Sequence, residues 1–163
     1  MKKEIIFDRC IYCFGKKESD TGACPHCGYS NEFGGLPAWW MFPGTVLRGR
    51  YIVGRSLKET EDRLSYLGWD LDKQYLVEIT EYFPKKYVTR DITASESVSC
   101  KPGFEMQFDE GCQQFFEKAK SYFKCIIRVE ESKMDFFKRN NTCYYVRERS
   151  AKLDKFKEKQ DLS

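Results

Sequence analysis

The chain has 163 residues, 41% hydrophobic and 33% charged, with a formal net charge of +3 and an isoelectric point near 8.3. That length suits one domain plus a small module, and the composition is ordinary for a soluble protein. A dedicated nucleic-acid binder usually concentrates a basic face at an isoelectric point above about 9, which this chain does not reach.

Residues 1–30 read as a small module. The start, Met1 to Asp8, has only the three consecutive apolar residues Ile5, Ile6 and Phe7, too short a run for a signal peptide or a membrane span. We therefore expect a cytoplasmic protein with no membrane partner, in which closely paired cysteines bind metal rather than form structural disulfides. Cys10-Ile11-Tyr12-Cys13 and Cys24-Pro25-His26-Cys27 are two such pairs, separated by a turn-prone loop. Each C-x-x-C hook presents two thiolates from one tight turn, and two facing hooks make a four-sulfur tetrahedron suited to structural zinc. Free thiols, disulfides and a rubredoxin-like iron site are the alternatives. Cys10, Cys13, Cys24 and Cys27 fill all four positions, leaving no place for a catalytic water. His26, inside the second hook, reads as a solvent-facing filler.

Residues 31–43 read as a linker, with Gly34, Gly35 and Pro37 ahead of Trp39-Trp40-Met41-Phe42. These aromatics either strap back onto the following domain or form an exposed patch that takes a partner, so Trp39 and Trp40 are candidate partner-binding residues.

From residue 44 to 149 the pattern is that of an α+β domain. Ile52 and Val53, then Tyr66, Leu67 and Trp69, then Leu76, Val77 and Ile79 alternate as half-buried strands require. Phe108, Cys112, Phe115, Phe116, Ala119, Tyr122 and Phe123 recur at steps of three and four, predicting an amphipathic helix. Ile126 to Val129, Met134 to Arg139 and Thr142 to Glu148 supply the last strands, the final two joined by an Asn140-Asn141 turn.

The phrases Pro43-Gly44-Thr45-Val46-Leu47, Gly49-Arg50-Tyr51, Tyr66 to Leu71 and Glu81-Tyr82-Phe83-Pro84 resemble the start of a bacterial serine/threonine protein kinase domain of the type preceded by a zinc ribbon. Asp135-Phe136-Phe137 and Thr142 to Val146 continue the likeness. The resemblance implies a zinc ribbon joined to the small lobe of a kinase: a twisted antiparallel sheet of about five strands with one packed helix.

It also implies positions that this sequence fills differently. A glycine-rich loop that would cradle ATP phosphates is replaced by Lys58-Glu59-Thr60-Glu61-Asp62-Arg63, with no glycine and three carboxylates. The strand lysine of Val-Ala-Ile-Lys falls at Thr80, and the helix glutamate that would pair with it falls at Lys118, with Glu117 one residue away. Beyond Arg149 the resemblance stops at the hinge, without the catalytic-loop and metal-binding phrases. We expect no kinase activity, no catalytic residues and no ATP, and read the chain as a truncated, pseudokinase-like module that regulates or inhibits a partner protein. By analogy alone the partner is a kinase, or the module is an antitoxin-like or phage-defence-related inhibitor.

The tail, residues 150–163, alternates lysines with acids and reads as a solvated helix, with Phe156 a further partner-binding candidate together with Lys118. The second functional reading is nucleic-acid binding through the ribbon, favoured by Lys2, Lys3, Arg9, Lys16 and Lys17 and opposed by Glu4, Asp8, Glu18 and Asp20.

Overall fold

The structure is a computed structural model that describes residues 8–16, 23–29, 37–125 and 133–149. The expected strand at 126–129, linker residues 31–36, Phe156 and the tail lie outside the described residues.

The Pro43 to Pro84 stretch folds as the alternating pattern demands. β1 (Val46–Leu47), β2 (Tyr51–Glu59), β3 (Arg63–Asp70) and β4 (Tyr75–Tyr82) form an antiparallel meander. A two-stranded ladder follows, β5 (Val88–Thr89) with β6 (Ser99–Cys100). Then come α1 (Glu105–Cys125), β7 (Met134–Arg139) and β8 (Thr142–Glu148). Among the described residues the main sheet has six strands in the order β1-β2-β3-β4-β8-β7, all neighbours antiparallel. β1 is not among the expected strands, being two residues long and too short to show a period. Asn140 and Asn141 both have positive φ, 53° and 59°, as a tight type I′ hairpin requires of its two central residues.

The sheet curls until its ends meet. Arg48 on the β1–β2 turn pairs with Asp135 of β7 at 3.0 Å, the Tyr51 hydroxyl donates to the same carboxylate at 2.7 Å, and the Tyr51 ring stacks on Phe137. The enclosed face holds Tyr51, Val53, Leu64, Tyr66, Val77, Ile79, Tyr144 and Val146, all buried. Trp40 and Met41 strap across it, Trp40 edge-on to Tyr66.

A buried ion pair fixes that strap. Glu81 and Arg90 have no exposed side-chain surface; Arg90 donates to both Glu81 oxygens at 2.8 Å and to the Trp39 carbonyl. The Tyr66 and Tyr144 hydroxyls also donate to Glu81. Burial, with the Glu81 charge alongside, pushes both tyrosines well above their ordinary pKa and keeps them neutral donors.

On the other face lies α1. It buries Phe108, Cys112, Phe115, Ala119 and Phe123, the stripe that its periodicity predicts. Phe115 and Phe123 pack on Tyr145, and Tyr82 fits between Phe108 and Phe115. Gly111 has no side chain because the Tyr82 hydroxyl occupies the space where its Cβ would stand. Among the described residues no helix is long and apolar enough to cross a membrane.

Candidate metal centre and the kinase-like face

The two hooks come together. The four sulfurs of Cys10, Cys13, Cys24 and Cys27 all lie within 4.8 Å of one another. Cys10 to Cys27 and Cys13 to Cys24 are each 3.7 Å. A tetrahedron with metal–sulfur bonds of about 2.3 Å has edges of about 3.8 Å, so these separations fit a thiolate-bound ion. Backbone N–H groups of Tyr12, Gly15 and His26 point at the sulfurs of Cys10, Cys13 and Cys24, each at 3.4 Å. Burial opposes ionisation of Cys24, yet the His26 and Cys27 N–H groups and the neighbouring thiols lower its pKa to about 6. Burial dominates at Cys27 and pushes it up to about 12. Ligation needs thiolates, so a thiol still protonated, as Cys27 is, releases its proton when a cation binds. His26 is exposed, its ring against Gly15.

The hooks are near twins, and their difference is informative. The residue after the second cysteine of each has left-handed backbone: Gly28 at φ 78° and Phe14 at φ 61°. Glycine adopts this conformation freely, whereas a bulky aromatic there carries strain of about 1–3 kcal/mol. Phe14 is nonetheless only 2% exposed, because it does not face solvent. It packs with Ile52, Leu67 and Trp69 as a second hydrophobic cluster, its ring 6.1 Å from that of Trp69. Arg9 covers the Trp69 ring from the same module. The Arg55 backbone N–H donates to the Tyr12 carbonyl at 2.9 Å, tying hook to strand. Gly54 makes this approach possible: a Cβ there would stand 2.5 Å from Phe14 and 2.8 Å from the Tyr12 carbonyl oxygen.

Strand register identifies the face so covered. Directly paired residues point the same way and alternate residues share a face. Ile52 pairs with Trp69, Leu67 with Glu78 and Ser65 with Thr80; Glu78 and Thr80 pair in turn with Arg147 and Tyr145. Thr80, at the position the resemblance gives to the kinase lysine, therefore lies on the face that α1 and Phe14 cover. Its hydroxyl is buried and has no hydrogen-bond partner among the described residues. Two residues back, Glu78 is buried and accepts from Arg147 at 3.0 Å. The helix surface turned to this face is the apolar stripe. Glu117 and Lys118 are both exposed, so α1 brings no charge to Thr80 in either register.

The turn that stands for a glycine-rich loop is bound elsewhere. Glu59 pairs with Lys85 at 2.8 Å and accepts from the Trp39 indole. The Phe83 and Lys85 N–H groups donate to the Asp62 and Glu61 carbonyls. Of the two tryptophans, Trp40 is buried and only Trp39 reaches the surface. Sequence reasoning passed over Phe14, Gly54 and Arg90. The pairing of a bulky residue with a post-hook position that favours glycine was the one signal for the first.

Among the described residues the fold is a curled antiparallel sheet with one helix on its outer face and a four-cysteine module that forms a candidate metal centre. Comparison with solved structures agrees on the fold: the chain is similar to the structure titled "PpkA-294 apo form", a fragment of a bacterial serine/threonine kinase, with a TM-score of 0.52 and 18% identity. The match covers 71% of this chain and 38% of that one, so the chain spans well under half of the structure it resembles. No protein-family model matches the sequence, and no curated protein does.

Proposed function

We propose that this is a non-catalytic, pseudokinase-like interaction module, stapled by zinc at Cys10, Cys13, Cys24 and Cys27, that regulates a partner protein in the cytoplasm. The observation that carries the reading is Thr80. A kinase needs a lysine there to hold phosphates and a helix glutamate to pair with it. Here a buried threonine meets an apolar helix stripe, and the neighbouring Glu78–Arg147 pair closes the surface with a carboxylate. The turn at residues 58–63 adds carboxylates where phosphates would sit. The similarity to a kinase fragment is compatible with a kinase-derived module that binds another protein, and the half-buried Trp39 and the exposed Lys118 offer surface for it. Zinc is preferred over iron because four thiolates with a closed shell serve as a structural site without redox work.

The test is affinity purification of the tagged protein from its host, with and without nuclease, followed by reconstitution with purified components. One protein recovered at fixed stoichiometry, nuclease-insensitive and changed in activity when recombined, supports the reading. Nuclease-sensitive recovery, or phosphate transfer by the chain alone, overturns it.

A further inference from the structure

We propose that the β2–β3 face is a docking surface whose occupant is the chain's own four-cysteine module, with Phe14 as a plug that bound metal holds in its seat. Three independent features converge on it. Phe14 keeps a left-handed backbone that its twin position gives to Gly28, and strain of this kind persists only where surrounding structure over-determines it. Gly54 is bare where the Phe14 ring and the Tyr12 carbonyl press against the strand. The seat is aromatic and apolar, made of Ile52, Leu67 and Trp69, with Phe14 packed among them and Arg9 over the Trp69 ring.

The metal enters through connectivity. Phe14 directly follows Cys13, and the turn that aims it closes on the first hook, through Phe14 N–H to the Cys10 carbonyl and Cys10 N–H to the Gly15 carbonyl. Two hooks of this size have almost no core of their own, so an ion held by four sulfurs is what keeps the turn in shape. Removing it frees Phe14 from its left-handed backbone and lets the module leave the sheet. The lobe itself has a separate core around Tyr66, Ile79 and Tyr144 and keeps its fold. The exposed face is then an apolar patch on the side of the sheet that carries Thr80.

The inference deepens the non-catalytic reading, since it says what keeps that face closed, but its test is separate from any nucleotide assay. The Arg55 amide is the reporter, because its hydrogen bond crosses from the sheet to the module. Amide exchange is followed by NMR in zinc-loaded protein, in the same protein after chelation, and in zinc-loaded Phe14→Gly, which copies the second hook. Chelation should speed Arg55 exchange at least about tenfold while the β4–β8 ladder stays protected. Phe14→Gly should keep full zinc stoichiometry and show the fast Arg55 exchange with metal bound. Unchanged Arg55 protection in either state overturns the proposal. So does loss of β4–β8 protection in step with Arg55, which would make the module part of the lobe's own core, and so does failure of Phe14→Gly to bind zinc.

Discussion

Phe14 and Gly54 are complementary: the ring of one fills the space where a Cβ of the other would stand, 2.5 Å from Phe14 Cε2. This contact joins the four-cysteine module to the sheet face that carries Thr80. Gly54→Ala should therefore push the module off without touching a cysteine. Overpacking of this kind costs about 1–3 kcal/mol, which thermal unfolding of the zinc-loaded protein would read. Unaltered zinc content and a red-shifted tryptophan emission, as Trp69 meets water, should accompany the loss.

Thr80 offers a test of opposite sign. Its hydroxyl is buried without a partner among the described residues, a state that costs free energy relative to an apolar group of the same shape. Thr80→Val should raise stability by about 1 kcal/mol in denaturant unfolding. Thr80→Lys should destabilise by several kcal/mol, because the ammonium would be buried beside Tyr145, on the sheet face covered by a helix stripe that carries no carboxylate. Restoring the lysine of the kinase pattern should not restore ATP binding.

Arg90 anchors the strap. Arg90→Ala would leave the Glu81 carboxylate buried with only the Tyr66 and Tyr144 hydroxyls, and breaking a buried pair from one side costs about 3–5 kcal/mol. It also removes the donors to the Trp39 carbonyl, so protease cleavage near residues 37–42 should become faster than in the wild type.

Acid stability should depend on Asp70. Burial works to raise its pKa, but the Arg50 guanidinium and the Asp72 and Lys73 N–H groups overcome this and hold it below the ordinary carboxylate value. A carboxyl with a depressed folded pKa stabilises fully above its unfolded value of about 3.9, and the contribution fades as pH falls through the folded value. Asp70→Asn should cost about 1–3 kcal/mol at neutral pH, with the gap to wild type closing progressively below about pH 4.

Much of this was legible in the chain. The C-x-x-C spacing marked the four sulfurs, and the helix stripe from Phe108 to Phe123 follows directly from steps of three and four. The strands around Trp69 and Ile79 announced themselves by alternation. What stayed hidden depends on which face meets which neighbour. Phe14 is a lone apolar residue in a hook and belongs to no periodic pattern, so its seat on Trp69 appears only once β2 and β3 are paired. Glu81 and Arg90 look like ordinary surface charges nine residues apart. Curling of the sheet is what buries them together, and short-range patterns do not encode curl. The strap was one of two readings of Trp39 to Phe42, and Trp40 against Tyr66 is where that stretch now lies.

The most direct test of the account is calorimetric titration of the zinc-loaded protein with ATP and Mg2+. With a threonine at position 80, an apolar helix stripe before it and carboxylates in the turn at residues 58–63, no saturable heat should appear at millimolar nucleotide. Saturable binding at one ATP per chain, displaced by competing ADP, would contradict it.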